Sequence, residues 1–194
     1  MKKKKFTVFK TMKNFYKNIF KEINNILNQT DYAALEKITK LLISTNRKNK
    51  KVIIFGNGGS AAISSHVSVD LTKNARIRCI NFNEADLLTC FSNDYGYEKV
   101  FSKSLEFYAD KGDIVIIVSA SGRSKNLLEA AKICKKNKIF LCTLTGFAKT
   151  NPLKKMGNIN LWANSKAYNI IENVHQIWLL SIVDKIIGKT EYSA

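Results

Sequence analysis

A chain of 194 residues with 45% hydrophobic and 10% aromatic content is long enough for one packed core and short for two, at the usual ~100 to 200 residues per domain. No apolar run approaches the roughly 18 residues that span a bilayer, so no membrane-spanning helix is expected and the protein is expected to be soluble and cytoplasmic. The formal net charge of +17 raises nucleic acid and acidic membranes as partners, but lysine dominates, with arginine only at Arg47, Arg76, Arg78 and Arg123, and two-point recognition of phosphate favours arginine.

The charge therefore reads as a solvated lysine surface that attracts an anionic substrate, with neither nucleic acid nor the membrane the expected partner. The opening MKKKKFTVFKTMK is basic but lacks the apolar stretch and cleavage site of a secretory signal, and is read as a tail leading into a helix. Phe15, Ile19, Ile23 and Leu27 recur at helical spacing, and a second periodic stretch, Tyr32 to Ile43, follows Gln29-Thr30-Asp31 as its cap. A first strand, Lys51 to Phe55, precedes a helix from Ser60, a short strand near Ile77 to Ile80, and helical segments over Asp86 to Cys90 and Tyr97 to Tyr108. Strand Asp113 to Val118, helix Ser124 to Lys136 and strand Ile139 to Leu144 continue the alternation. A weak strand, Ile159 to Trp162, and a helix, Tyr168 to Ile187, close it, with Pro152 the one proline stop.

Strands separated by helices imply right-handed crossovers and a parallel sheet covered on both faces. The expected fold is α/β, a three-layer sandwich of flavodoxin-like or Rossmann-like type preceded by N-terminal helices. It forms a single domain over residues 1–194, with tail and helices in 1–50 and the core and last helix in 51–194. Cys79, Cys90, Cys134 and Cys142 lack C-x-x-C spacing, which argues against disulfides and zinc fingers and for a reducing compartment.

Ligands of such sheets sit beyond the carboxyl ends of the strands. Two polar loops fall there. Gly56-Asn57-Gly58-Gly59-Ser60 follows the first strand and opens a helix, so backbone N–H groups and the helix dipole can meet an anion. Ser119-Ala120-Ser121-Gly122-Arg123-Ser124 does the same after strand Asp113 to Val118, with three hydroxyls at a helix start. The glycine loop formally matches a dinucleotide fingerprint, but the acidic residue expected about 20 positions on is not evident, and Ser60-Ala61 is not the Lys-Ser/Thr of a phosphate-binding P-loop. Either loop alone could be a plain strand-to-helix turn with a serine cap; two at equivalent sheet positions point to a phosphorylated ligand.

The order GNGGSAA, then SNDYGY at Ser92 to Tyr97, then SASGRS, then LTG at Leu144 to Gly146 resembles the sugar isomerase (SIS) domain family, and within it the phosphoheptose isomerases most. The likeness covers nearly the whole chain. It implies that Ser119, Ser121 and Ser124 hold a sugar phosphate, that Asn57, Gly58, Gly59 and Ser60 contact the substrate, and that Asp94, beside Asn93, binds sugar hydroxyls. It also implies a homotetramer with sites completed by neighbouring subunits, and conversion of sedoheptulose 7-phosphate to D-glycero-D-manno-heptose 7-phosphate for lipopolysaccharide or capsule heptose.

Aldose–ketose interconversion needs a base, an acid and stabilisation of an enediol oxyanion. His66 and Asp70, four apart on the helix after the glycine loop, share a face near the phosphate notch. In the family that pair is His and Glu, the Glu acting as base, and both ligate zinc where the metal is carried. Asp70 keeps the carboxylate but is one methylene shorter. On the last helix the family's Gln matches Glu172, while its catalytic His, eight residues later, matches Leu180, which neither moves a proton nor binds metal. His175 matches a common but non-catalytic family histidine, expected in the core, in an interface or recruited to the site by a slight turn of the helix. The resemblance thus implies Asp70 and His66 as catalytic groups, with His66, Asp70 and Glu172 able to hold zinc, manganese, iron(II) or nothing. The alternative is a non-catalytic phosphosugar-binding or regulatory member of the family.

Overall fold

The computed structural model describes residues 8–191, with side chains from Asn14 onward; the lysine tail at Lys2 to Lys5 lies outside them. Helix α1 (Val8–Asn28) and helix α2 (Tyr32–Arg47) come first. Asp31 ends the turn between them and caps α2, its carboxylate accepting from the Ala34 N–H at 2.9 Å, which satisfies one of the helix's orphan donors.

Five strands follow: β1 (Val52–Gly56), β2 (Cys79–Asn81), β3 (Ile114–Ser119), β4 (Phe140–Thr145) and β5 (Ile159–Trp162), all parallel in the order β2-β1-β3-β4-β5. Strands β1 and β3 are buried along their whole length, as the unbroken apolar runs VIIF and IVIIV require of a sheet covered on both sides. Side chains alternate between two cores. Val52, Ile54, Ile116, Val118 and Leu144 face α1, α2, α3 (Gly59–Lys73) and α8 (Tyr168–Ile187). Ile53, Phe55, Val115, Ile117 and Leu141 face α5 (Val100–Tyr108) and α6 (Lys125–Lys136), with the partly buried apolar side of α4 (Ala85–Tyr95) beside them. Phe55 is stacked against Phe82 at 5.6 Å and Phe101 at 4.6 Å between ring centroids. This is the expected three-layer sandwich.

Three local expectations shift. The second strand starts at Cys79, because Arg76 takes φ +56° and sends Ile77 down into the first core as a capping residue of α3 rather than a strand residue. The segment after Gly96, at φ +83°, opens as one 3-10 turn, Tyr97–Lys99, before α5 begins. Pro152 does not stop structure but starts it: it sits at the first position of the short helix α7 (Pro152–Met156), where a missing N–H costs nothing, and Asn151 caps that helix through Lys154 N–H at 2.9 Å.

The chain leaves β1 for α3 on one face and β3 for α6 on the other. The carboxyl ends of these two neighbouring strands, Gly56 paired with Val118, therefore flank the point where successive crossovers diverge, which opens a crevice in such sheets.

Candidate active site

The glycine loop occupies that crevice. Gly58, at φ +54°, is the N-cap of α3, and Ser60 is buried beneath Gly56, with no room for a Cβ between the two. Gly56 is held by an amide clamp the sequence did not suggest: its N–H donates to Asn83 Oδ1 at 3.2 Å and its carbonyl accepts from Asn83 Nδ2 at 2.8 Å. Asn57 crosses the crevice. Its Nδ2 donates to Asn126 Oδ1 at 2.9 Å and its Oδ1 accepts from Asn126 Nδ2 and from the Tyr97 hydroxyl, each at 3.1 Å. This leaves one Asn57 N–H for a ligand, since a primary amide carries two donors.

The serine loop is fixed from behind. Gly146 N–H donates to Ala120 O at 2.8 Å and Leu153 N–H to Gly122 O at 3.2 Å. Gly122 takes φ +62°, and a Cβ there would strike the buried Asn151 amide, so the turn requires glycine. Ser119 Oγ accepts from Gly122 N–H at 3.2 Å and Ser121 Oγ from Arg123 N–H at 3.3 Å; both hydroxyls keep their proton to donate. Ser124 is the N-cap of α6, yet its side chain makes no capping bond. Its hydroxyl is thus uncommitted at the positive end of a twelve-residue helix, where an anion is favoured.

Asn93 and Asp94 stand exposed at the end of α4, where Asn93 Nδ2 donates to Asp94 Oδ1 at 3.0 Å and Cys90 Sγ lies 3.8 Å from Asp94 Oδ2. It is Tyr97, from the same SNDYGY stretch, that reaches the glycine loop. Asn126, 69 positions from Asn57 and 2% exposed, carried no sequence signal beyond an asparagine in the first turn of a helix.

His66 and Asp70 meet as their spacing predicts, with Nε2 3.3 Å from Oδ2. Their settings differ. His66 is half exposed and lines an open cleft of about 380 Å³ with Gly59, Ala62, Ile63, Glu172, Asn173 and Gln176. Asp70 does not line it; its second oxygen accepts from Asn74 Nδ2 at 3.1 Å. Glu172 approaches from α8 and lays its carboxylate over Gly59, in the space a Cβ would fill. Partial burial, with no ion pair to offset it among the described residues, holds the Glu172 carboxyl above the usual range for glutamate.

A zinc site needs three or four donors converging on one point. Among the described residues no three His, Cys, Asp or Glu side chains do so. His66 and Glu172 share the cleft, but Asp70 faces His66 and Asn74, so the donor set His66, Asp70 and Glu172 does not fit a metal within one chain. Leu180 packs against the first core. His175 is a core residue: fully buried, its Nε2–H donates to Thr145 O at 3.1 Å, Nδ1 has no partner, and the ring lies 5.8 Å from that of Trp178. Burial pushes its pKa down to about 4, so it is neutral and is not recruited to the cleft.

A family model for the SIS domain matches residues 14–146. The chain belongs to the SIS domain family. Among its SIS relatives, the phosphoheptose isomerase of Sulfurimonas denitrificans is 33% identical over 193 residues, 96% of this chain and 95% of that one. The phosphoheptose isomerase of Campylobacter concisus is 36% identical over 146 residues, 72% of this chain and 75% of its own. The fold matches that of a phosphoheptose isomerase from Francisella tularensis with a TM-score of 0.84 at 22% identity, covering 94% of this chain and 100% of that one.

Proposed function

We propose that this SIS domain protein is a phosphosugar isomerase that interconverts sedoheptulose 7-phosphate and D-glycero-D-manno-heptose 7-phosphate, a step towards lipopolysaccharide or capsule heptose. The observation that carries the reading is that neighbouring strands β1 and β3 lead at their carboxyl ends into two helix starts, one rich in hydroxyls and left free by its own cap, the other opening the helix whose cleft holds an imidazole and a carboxylate. The first, at Ser119, Ser121 and Ser124, suits a phosphate monoester; the second suits proton transfer between adjacent carbons. Asn57, tied to Asn126 and Tyr97 and keeping one N–H free, is suited to orient the sugar chain.

The enzyme works in the cytoplasm, in keeping with four free cysteines and with the absence, among the described residues, of any helix long and apolar enough to cross a membrane. It assembles as a homotetramer through the N-terminal helices. Phe15, Tyr16 and Phe20 on α1, Tyr32 on α2 and Ile177 on α8 expose 40% to 66% of their surface, and large apolar side chains left in water favour a partner of like surface.

Proton NMR of sedoheptulose 7-phosphate in D₂O with the purified protein tests the activity. Deuterium at the carbon next to the carbonyl, with aldose appearing, is the expected result. Line broadening without exchange would instead identify a phosphosugar-binding regulator, the reading that Leu180 and the dispersed metal donors favour.

A further inference from the structure

We infer that the proton-transferring carboxylate of this site is Glu172, working with His66, and that Asp70 is the residue that positions His66 rather than the base. The inference rests on the isomerase reading above and follows from the failure of the three expected donors to converge. Helix α3 presents His66 to the cleft but keeps Asp70, one turn further on, against His66 Nε2 and Asn74. Helix α8 supplies a carboxylate from the other side of the cleft, and it can lie over the start of α3 because Gly59 has no side chain to keep it away. A glutamine here could neither accept nor release a carbon-bound proton; the glutamate of this chain does both.

The protons balance without a metal or a co-reactant. The Glu172 carboxylate takes the proton from C1 of the open-chain ketose as the electron pair of that C–H bond forms the C1–C2 double bond. The carbonyl electrons pass to O2, which takes a proton from Nδ1 of the His66 imidazolium. Glu172 then returns its proton to C2, the O1–H electrons form the new carbonyl at C1, and the O1 proton goes back to Nδ1. Throughout, the Nε2–H bond to Asp70 keeps Nδ1 as the nitrogen that cycles.

The test compares Glu172→Gln and Asp70→Asn with the unaltered full-length protein, each treated with EDTA and assayed for metal. Deuterium incorporation into sedoheptulose 7-phosphate is followed by NMR, and binding of the same sugar phosphate by calorimetry. Glu172→Gln, nearly isosteric, is expected to lose exchange by about 10²- to 10⁴-fold while its dissociation constant for the sugar phosphate is retained. Asp70→Asn is expected to keep measurable exchange, and the unaltered protein to exchange after EDTA. Exchange that survives in Glu172→Gln, or that vanishes in Asp70→Asn alone or on chelation, would overturn the inference and leave the isomerase reading intact. A silent unaltered protein that still binds the sugar phosphate would remove both.

Discussion

Replacing Gly59 with alanine separates the placement of the Glu172 carboxylate from the stability of the fold. The added Cβ would stand 2.6 Å from the Glu172 carboxyl carbon and 2.8 Å from Oε1, where non-bonded carbon contacts settle at about 3.5 to 4.0 Å. Something must yield by about 1 Å, and the yielding group is the far end of a flexible side chain beside an open cleft, not backbone. Gly59 is the first residue of α3 and has no positive φ, so alanine is conformationally at ease there and gains up to ~0.5 to 1 kcal/mol of helix propensity. The melting temperature, read by circular dichroism, should therefore stay level or rise by a few degrees, at roughly 2 to 4 °C per kcal/mol for a chain of this size. A carboxylate displaced by about 1 Å should lower deuterium exchange by about 10²-fold, the usual penalty for misplacing a reacting group by that much. Exchange within about threefold of the unaltered protein, against that expected 10²-fold loss, would refute the placement of Glu172 at the reacting carbon. A fall in melting temperature would refute the claim that the carboxylate is free to move aside.

Ser124→Ala should be nearly silent in urea denaturation, because Ser124 makes no capping bond and forgoes the ~1 kcal/mol that such a loss ordinarily costs; phosphate affinity by calorimetry should nonetheless fall about tenfold, the loss of one hydrogen bond to a charged group. His175 makes acid destabilising. Its folded pKa of about 4 lies below the ordinary 6.5, so as pH drops from 6.5 towards 4 the unfolded chain takes up a proton that the folded chain refuses, and stability falls by up to about 3 kcal/mol. Urea midpoints measured across that range should flatten in His175→Asn; an unchanged pH slope in that variant would assign the loss to other groups.

The sequence by itself determined the layers and the ends of the sheet that matter. Burial on both faces demands unbroken apolar strands such as VIIF and IVIIV, and each hydroxyl- or glycine-rich loop must then fall where such a strand ends and a helix begins, because these are local patterns of two or three turns of chain. The same locality fixed the His66–Asp70 contact, one helical turn apart. What tertiary structure decided was which of these groups face one another. The tilt of α8 against α3 places Glu172 over Gly59, residues far apart in the chain, while Asp70 spends its second oxygen on Asn74. The meeting of Asn57 with Asn126 and Tyr97 depends on how two helices on opposite faces of the sheet converge at its switch point. His175, legible only as a histidine on a helix, became a neutral core residue because the packed sheet end at Thr145 buries it and offers it one carbonyl acceptor. Side-chain periodicity names the face on which a group lies; only the packing of that face against another element settles what the group can touch.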